Sequence, residues 1–231
     1  MKLVLKKHDG VWVVRDDLYP YGSKARFLDD YFDTIPNDTV VYGGSPRWGF
    51  AQISIAYLAK RHGKKAVIFI AESKELSPYS QRAKDLGAEI VPVSTGFLVV
   101  CEAKARNYAH DHDAHLLPFG LRCPQAIDGV VRVAKRIKIK PDEVWTVASS
   151  GTLSCGLQAA FPDAEFYAVQ VGKQLDQSAV GRATIIKAPE SFNKPAKNPP
   201  PFPSVPEYDA KAWQFIPKDA KKTRLFWNVG S

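Results

Sequence analysis

Short apolar runs alternate along the chain with stretches whose apolar residues recur at helical spacing. In the first half they predict five elements in order: strand 39–42, helix 50–62, strand 65–70, helix 77–86 and strand 88–93. Glycines end both helices, and the connections are short. The repeated order of strand and helix predicts an α/β fold with a doubly wound, mostly parallel sheet.

The same reasoning extends the pattern on both sides. Strands 2–6 and 11–15 around the Asp9-Gly10 turn predict a hairpin at the edge of the sheet. The remaining predictions are helix 25–32, helix 96–110, strand 116–117, helix 126–137, strand 144–148, a helix from Leu153, strand 165–171 and strand 225–227. No internal repeat is present, so we expect one unit over 1–231 with a smaller lobe at about 39–115.

Residues 188–206 contain seven prolines. Proline fixes the backbone and donates no hydrogen bond, so this segment is neither helix nor central strand. A linker and a stiff loop over the active site are both compatible with this composition.

Composition then limits the class of protein. The chain has 231 residues, 45% of them hydrophobic, which is typical of a globular protein. No apolar run is long enough for a membrane span, and the N-terminus lacks the apolar core of a signal peptide. We therefore expect a cytoplasmic protein, where three widely spaced cysteines stay reduced. The net charge of +8 allows DNA as a partner but does not require one, and on charge alone a solvated basic surface is the better explanation.

One candidate for chemistry is Lys24. Pro20 and Gly22 interrupt the preceding strand, Ser23 is a good N-cap, and Lys24 falls in the first turn of the following helix. The positive end of a helix dipole favours the neutral amine, which is the form that a Schiff-base lysine needs. An ordinary solvated lysine is the alternative.

A second candidate follows the buried strand 144–148. Ser149, Ser150, Gly151 and Thr152 form a turn of small residues before a helix, which presents hydroxyls and backbone N–H groups suited to a phosphate. A plain strand-to-helix turn is the alternative. The turn is neither a Walker loop nor a dinucleotide-binding fingerprint.

Together the two segments resemble those of the fold-type II pyridoxal 5'-phosphate (PLP) enzymes, the tryptophan synthase β-like superfamily. The most similar branch contains aminocyclopropane-carboxylate deaminase and D-cysteine desulfhydrase. Its Arg/Lys-Asp-Asp-Leu segment and its Gly-Gly-Asn-Lys-x-Arg-Lys-Leu motif resemble residues 15–18 and 22–28. Its Gly-Thr-x-x-Gly-Leu turn, its Pro-x-Gly-Gly loop with the following helix, and its last strand resemble residues 150–157, 117–129 and 224–231.

The resemblance implies that Lys24 carries PLP and that residues 149–152 hold its phosphate. It also implies that Asn228 or Ser231 contacts the pyridine nitrogen. The related deaminases follow their Gly-Gly with a Ser-Asn pair that contacts substrate. The residues available here for substrate binding are instead Arg47 and Trp48, with Ser45 and Gln52 as the nearest polar alternatives. This departure argues against opening of a cyclopropane ring.

The resemblance thus implies a PLP-dependent lyase acting at the α-carbon of an amino acid or an amino-acid adduct. Small proteins similar to this family occur in DNA viruses beside enzymes that attach amino acids to thymine. This implies decarboxylation or trimming of amino-acid-modified thymine in viral DNA. The alternatives are a deaminase or desulfhydrase of a free small amino acid and, in another class, a non-catalytic binding protein. A homodimer is left open.

Three histidines and two aspartates at residues 110–115 also invite interpretation as a metal site. Their spacing is not one of the usual catalytic zinc signatures, and histidine is common at helix C-termini. We therefore predict no metal site here.

Overall fold

The computed structural model describes residues 2–46, 49–94, 97–172, 174–219 and 221–231. The chain forms two compact units: Met1–Ser23 with Pro124–Ser231 (unit 1), and Lys24–Cys123 (unit 2). The predicted lobe at 39–115 falls within unit 2.

Within the described residues, the strands are β1 (Leu5–His8), β2 (Val11–Arg15), β3 (Thr39–Tyr42), β4 (Lys65–Ala71), β5 (Glu89–Val93), β6 (His115–Leu116), β7 (Glu143–Ala148), β8 (Glu165–Gln170), β9 (Thr184–Lys187) and β10 (Arg224–Asn228). The α-helices are α1 (Gly22–Thr34), α2 (Ala51–Arg61), α3 (Pro78–Asp85), α4 (Leu98–Asp111), α5 (Pro124–Ala134), α6 (Thr152–Ala160), α7 (Gln177–Val180) and α8 (Ala210–Trp213). Two short 3-10 helices cover Asp16–Leu18 and Phe119–Leu121.

Unit 1 contains a six-stranded sheet in the order β1-β2-β10-β7-β8-β9. All of its pairings are parallel except the predicted hairpin of β1 with β2. Asp9 and Gly10 both have positive φ in the hairpin turn, as tight two-residue turns require. The last strand, β10, lies between β2 and β7, and Phe226 is in register with both Val13 and Trp145.

Close helix packing fixes the position of α6 in unit 1. Gly156 on α6 faces α5, and a Cβ at this position would lie only 2.5 Å from Cβ of Val130. The absence of a side chain at Gly156 therefore allows the two helices to approach closely. The N-terminus of α6 follows β7 after a turn of three residues.

Glu143 lies at the other end of β7 and is the centre of an ion-pair network. Its carboxylate accepts hydrogen bonds from Arg224 at 2.8 Å and from Trp145 at 3.1 Å, and it pairs with Lys222 at 3.0 Å. Although burial opposes ionisation, these hydrogen bonds lower the pKa of Glu143 below its ordinary value.

The proline-rich segment 188–206 packs onto unit 1. Phe202 is buried against Trp213, with 5.1 Å between ring centroids. Lys211 has no exposed surface, and its ammonium donates to the backbone oxygen of Ser191 at 2.9 Å. Because the chain on both sides also belongs to unit 1, the segment does not connect the two units.

Unit 2 contains a four-stranded, entirely parallel sheet in the order β5-β4-β3-β6. Part of its core lies between the sheet and α4 and consists of Val41, Val67, Phe69, Cys101 and Ala105. In α3, Ser77 caps the N-terminus by accepting a hydrogen bond from the backbone N–H of Ser80.

The predicted α/β class with mostly parallel sheets is confirmed, and so is the N-terminal hairpin. Strand β9 and helices α7 and α8 were not predicted. Helix α4 begins at Leu98 rather than at Gly96, which lies outside the described residues. No helix among the described residues combines the length and the apolar character needed to cross a membrane.

Candidate active site

The backbone immediately before Lys24 is held by a buried hydrogen-bond network. Asp16, with no exposed surface, accepts hydrogen bonds from the Ser23 hydroxyl at 2.7 Å and from the Trp227 indole N–H at 3.0 Å. The backbone N–H of Ser23 donates to the carbonyl of Val229 at 2.9 Å. The start of α1 is therefore fixed to the end of β10.

Ser23 differs from the sequence prediction in one respect. It lies inside α1, which already begins at Gly22, so it is not the residue that precedes the helix. Its hydroxyl donates to a buried carboxylate and does not cap the helix. Lys24 is the third residue of α1, within the first turn as predicted, and is partly buried.

A second part of the network joins Asp17 to the C-terminal strand. Arg15 makes two hydrogen bonds to the Asp17 carboxylate, at 2.8 and 2.7 Å, and both side chains are almost fully buried. The Asn228 amide nitrogen donates to Asp17 at 2.8 Å, and its oxygen accepts from Ser204 at 2.7 Å. The Ser231 hydroxyl lies 3.4 Å from the backbone oxygen of Asp17.

The predicted phosphate-binding turn connects β7 to α6. Gly151 is the N-cap residue of α6, with φ of 76°, and a Cβ at this position would overlap the carbonyl oxygen of Ala179. The hydroxyls of Ser150 and Thr152 lie 3.2 Å apart. The turn thus combines several hydroxyls with a helix N-terminus, a donor set that fits a phosphate.

Tyr208 was missed by the sequence analysis. Its hydroxyl lies 3.4 Å from the Ser149 hydroxyl. Burial raises the pKa of Tyr208 to about 12, so the phenol stays protonated at neutral pH. Tyr208 lies two residues after the proline-rich segment, and no periodic pattern there indicates which residues approach the turn.

The predicted substrate-binding residues belong to unit 2. Ser45 follows β3 and Gln52 lies in the first turn of α2; they are 2% and 0% exposed. Neither the Ser45 hydroxyl nor the Gln52 side-chain oxygen has a hydrogen-bond partner among the described residues. Buried polar atoms without partners are costly, so both atoms are candidates for contact with a ligand. Arg47 and Trp48 lie outside the described residues.

The histidines of residues 110–115 contact different partners. His110 pairs with Asp111 at the surface, His112 packs on the ring of Tyr108, and His115 makes a 2.7 Å hydrogen bond with the Tyr31 hydroxyl. Across the part of the chain that the structure describes, no three metal-binding side chains form a cluster.

A scan against models of protein families finds no match. Among solved structures, an ACC deaminase homologue matches with a TM-score of 0.78 and 18% identity, covering 95% of this chain and 84% of that chain. Threonine deaminase isoform 2 from Solanum lycopersicum matches with a TM-score of 0.74 and 13% identity, covering 100% and 84%. The chain therefore has the fold of the fold-type II PLP-dependent enzymes, which confirms the predicted resemblance.

One curated protein extends the comparison from fold to sequence. It is named glycyl-dTMP PLP-dependent decarboxylase and comes from Pseudomonas phage M6. The two sequences are 24% identical over an alignment of 265 residues, which covers 95% of this chain and 94% of the relative. The similarity thus spans nearly the whole of both proteins.

Proposed function

We propose that this chain is a PLP-dependent lyase that decarboxylates an amino acid carried on a thymine nucleotide. The observation that carries the proposal is the near end-to-end similarity to the phage decarboxylase. The fold shared with PLP-dependent deaminases supports the same cofactor. When bound, PLP supplies an electron sink that weakens the bonds at the α-carbon of a substrate amine.

The proposed phosphate site is the turn at residues 149–152. Backbone N–H groups at the start of α6 and the hydroxyls of Ser150 and Thr152 would donate to the phosphate oxygens. Tyr208 would position the Ser149 hydroxyl through their mutual contact. A protonated phenol suits this role because it adds no negative charge beside a phosphate.

Lys24 is the proposed covalent attachment point of the cofactor. Decarboxylation breaks the bond between the α-carbon and the carboxylate, releases CO2 and requires a proton at the α-carbon. Besides holding the cofactor, Lys24 would deliver that proton from its Nζ as a general acid. The network around Asp16 and Ser23 supports this role because it fixes the backbone next to Lys24.

The substrate side of the proposal rests on Ser45 and Gln52. The Ser45 hydroxyl could donate to the substrate carboxylate, while the Gln52 oxygen could accept from an N–H group of the substrate. Arg47 and Trp48 remain predicted substrate contacts. For the pyridine nitrogen, the two candidates were Asn228 and Ser231. Both stay candidates: Asn228 bonds to Asp17 and Ser204, and the Ser231 hydroxyl lies 3.4 Å from the backbone oxygen of Asp17.

We further propose that the modified thymine is presented within DNA, in the cytoplasm of the host cell. The net charge of +8 supports a polyanionic substrate. If so, binding of a modified duplex should weaken steeply as salt rises, whereas turnover of a free amino acid should not. A homodimer stays a prediction.

The test combines a spectrum with a product assay. Added PLP should give the purified protein a visible absorbance band, which Lys24→Ala should abolish, and borohydride reduction should leave the cofactor mass on the Lys24 peptide. Glycyl-dTMP should then lose CO2 and keep its nitrogen. Ammonia released from a free amino acid would instead indicate the deaminase alternative. A colourless protein that ignores PLP would refute both and favour the binding protein.

A further inference from the structure

Asp209 carries a fully buried carboxylate three residues after the proline-rich segment. It is the N-cap residue of α8, a position from which aspartate commonly bonds to the first turn of its own helix. Here its Oδ2 atom accepts a hydrogen bond at 3.0 Å from the backbone N–H of Val229, which lies 20 residues further along the chain. The carboxylate thus joins the start of α8 to the residue that follows β10.

The backbone of Val229 continues this connection to the start of α1. Its carbonyl oxygen accepts a hydrogen bond from the backbone N–H of Ser23 at 2.9 Å, and Ser23 immediately precedes Lys24. Two hydrogen bonds in series therefore lead from the Asp209 carboxylate to the residue before Lys24. A hydrogen bond to a carboxylate is roughly twice as strong as one between neutral groups, so Asp209 holds Val229 firmly.

The residue before Asp209 contacts the other half of the proposed cofactor site. The Tyr208 hydroxyl lies 3.4 Å from the hydroxyl of Ser149, in the turn at residues 149–152. Two adjacent residues of one segment thus contact both the proposed phosphate site and the strand end that holds Ser23. All of these residues belong to unit 1.

We infer that Asp209 is a positioning residue that, together with the adjoining Tyr208, sets the distance between Lys24 and the phosphate turn. The inference rests on the proposed function, since it takes Lys24 as the attachment point of PLP and residues 149–152 as its phosphate site. A cofactor held at two places gains affinity from the second contact only when the distance between them matches its own length. A short segment that contacts both places is suited to fix that distance.

The first measurement is hydrogen exchange in the protein without PLP. In Asp209→Ala, the backbone N–H groups of Ser23 and Val229 should exchange at least about tenfold faster relative to the slowest amides, because a charge-assisted hydrogen bond is lost. Asp209→Asn keeps an acceptor oxygen in the same place and should restore most of the protection. Glu143→Ala is the matched control. Glu143 is a similarly buried acid of unit 1 at the opposite end of β7, so its loss should not affect these two amides.

The second measurement compares the binding of PLP with that of pyridoxal, which lacks the phosphate. The ratio of the two affinities measures the benefit of holding the cofactor at both places. In Asp209→Ala this ratio should fall about tenfold, because the distance between the two places is no longer fixed. Asp209→Asn and Glu143→Ala should keep the wild-type ratio. A general loss of stability affects both ligands equally and leaves the ratio unchanged.

The outcomes separate this inference from the proposed function. A wild-type protein that gives no absorbance band with PLP would overturn the proposed function. In a protein that binds PLP, an Asp209→Ala variant with unchanged exchange at Ser23 and Val229, or with an unchanged affinity ratio, would overturn the inference alone. Equal losses in Glu143→Ala would also overturn it. If Asp209→Ala does not fold, Asp209→Ser takes its place with the same expectations, because its hydroxyl is shorter than the carboxylate.

Discussion

Gly151 is the position where one added methyl group tests the proposed phosphate site most directly. Its φ of 76° is a conformation that residues with a Cβ rarely adopt, and its backbone lies against the carbonyl of Ala179 on α7. Gly151→Ala therefore adds both backbone strain and a steric overlap. Either α7 moves away or the turn at residues 149–152 changes shape.

The magnitude follows from these two costs. Holding an alanine in the left-handed region costs about 1–2 kcal/mol. Overlap with a packed backbone group costs about 1–3 kcal/mol more. We therefore expect Gly151→Ala to lower the free energy of unfolding by roughly 2–5 kcal/mol and to weaken PLP binding.

Gly10→Ala is the matched control. Gly10 belongs to the same unit and has φ of 83°, but the nearest atom to its Cβ would be the Lys218 carbonyl oxygen at 3.3 Å. The Gly10→Ala variant should therefore lose mainly the free energy of holding an alanine in the left-handed region, and its PLP binding should stay intact. Urea unfolding followed by tryptophan fluorescence suits the comparison, since Trp12, Trp145, Trp213 and Trp227 all belong to unit 1. Equal losses in the two variants would refute the overlap with Ala179.

Asp17→Asn should lower the free energy of unfolding by about 3 kcal/mol, because it leaves the buried Arg15 guanidinium without its counter-charge. Breaking the exposed Lys65–Glu89 pair with Glu89→Gln should change urea unfolding little, and similar effects of the two variants would contradict this account. A third prediction concerns the stability of the protein at acidic pH. Because the folded-state pKa of Glu143 lies below its ordinary value of 4.5, its ionised form stabilises the fold above that pH, and this contribution is lost as the pH falls below it. Glu143→Gln should flatten the loss of stability between about pH 5 and 3, and an unchanged acid profile would rule out this contribution.

Sequence patterns predicted the parts of the fold that depend on local periodicity. The hairpin and the β7-turn-α6 segment each show a strong apolar pattern bounded by glycine or small residues, and both form as expected. Helices α7 and α8 have only four residues each, about one turn, which is too short for a helical period to be visible, and strand β9 was missed as well. Their formation depends on tertiary packing instead.

Only part of the candidate site could be predicted from the sequence. A lysine in the first turn of a helix and a turn of small residues before another helix can both be recognised locally. The partners of Asp16 cannot be recognised locally, because one of them, Trp227, lies 211 residues away in the chain. The contact of Tyr208 with Ser149 spans 59 residues and has no local signal. The Ser45 hydroxyl and the Gln52 side-chain oxygen lack partners among the described residues because of how the fold buries them. The sequence does not specify that burial.

The hydrogen-bond network also separates structural from chemical roles within one motif. In Arg15-Asp16-Asp17-Leu18, the first three side chains are buried, and their bonds join the end of β2 to the end of β10. A carboxylate that already binds a guanidinium and an amide is poorly placed to serve as a general base. The motif therefore contributes to the proposed reaction indirectly, by holding the strand ends from which α1 starts, and Lys24 is the residue of this region to which we assign the proton transfer.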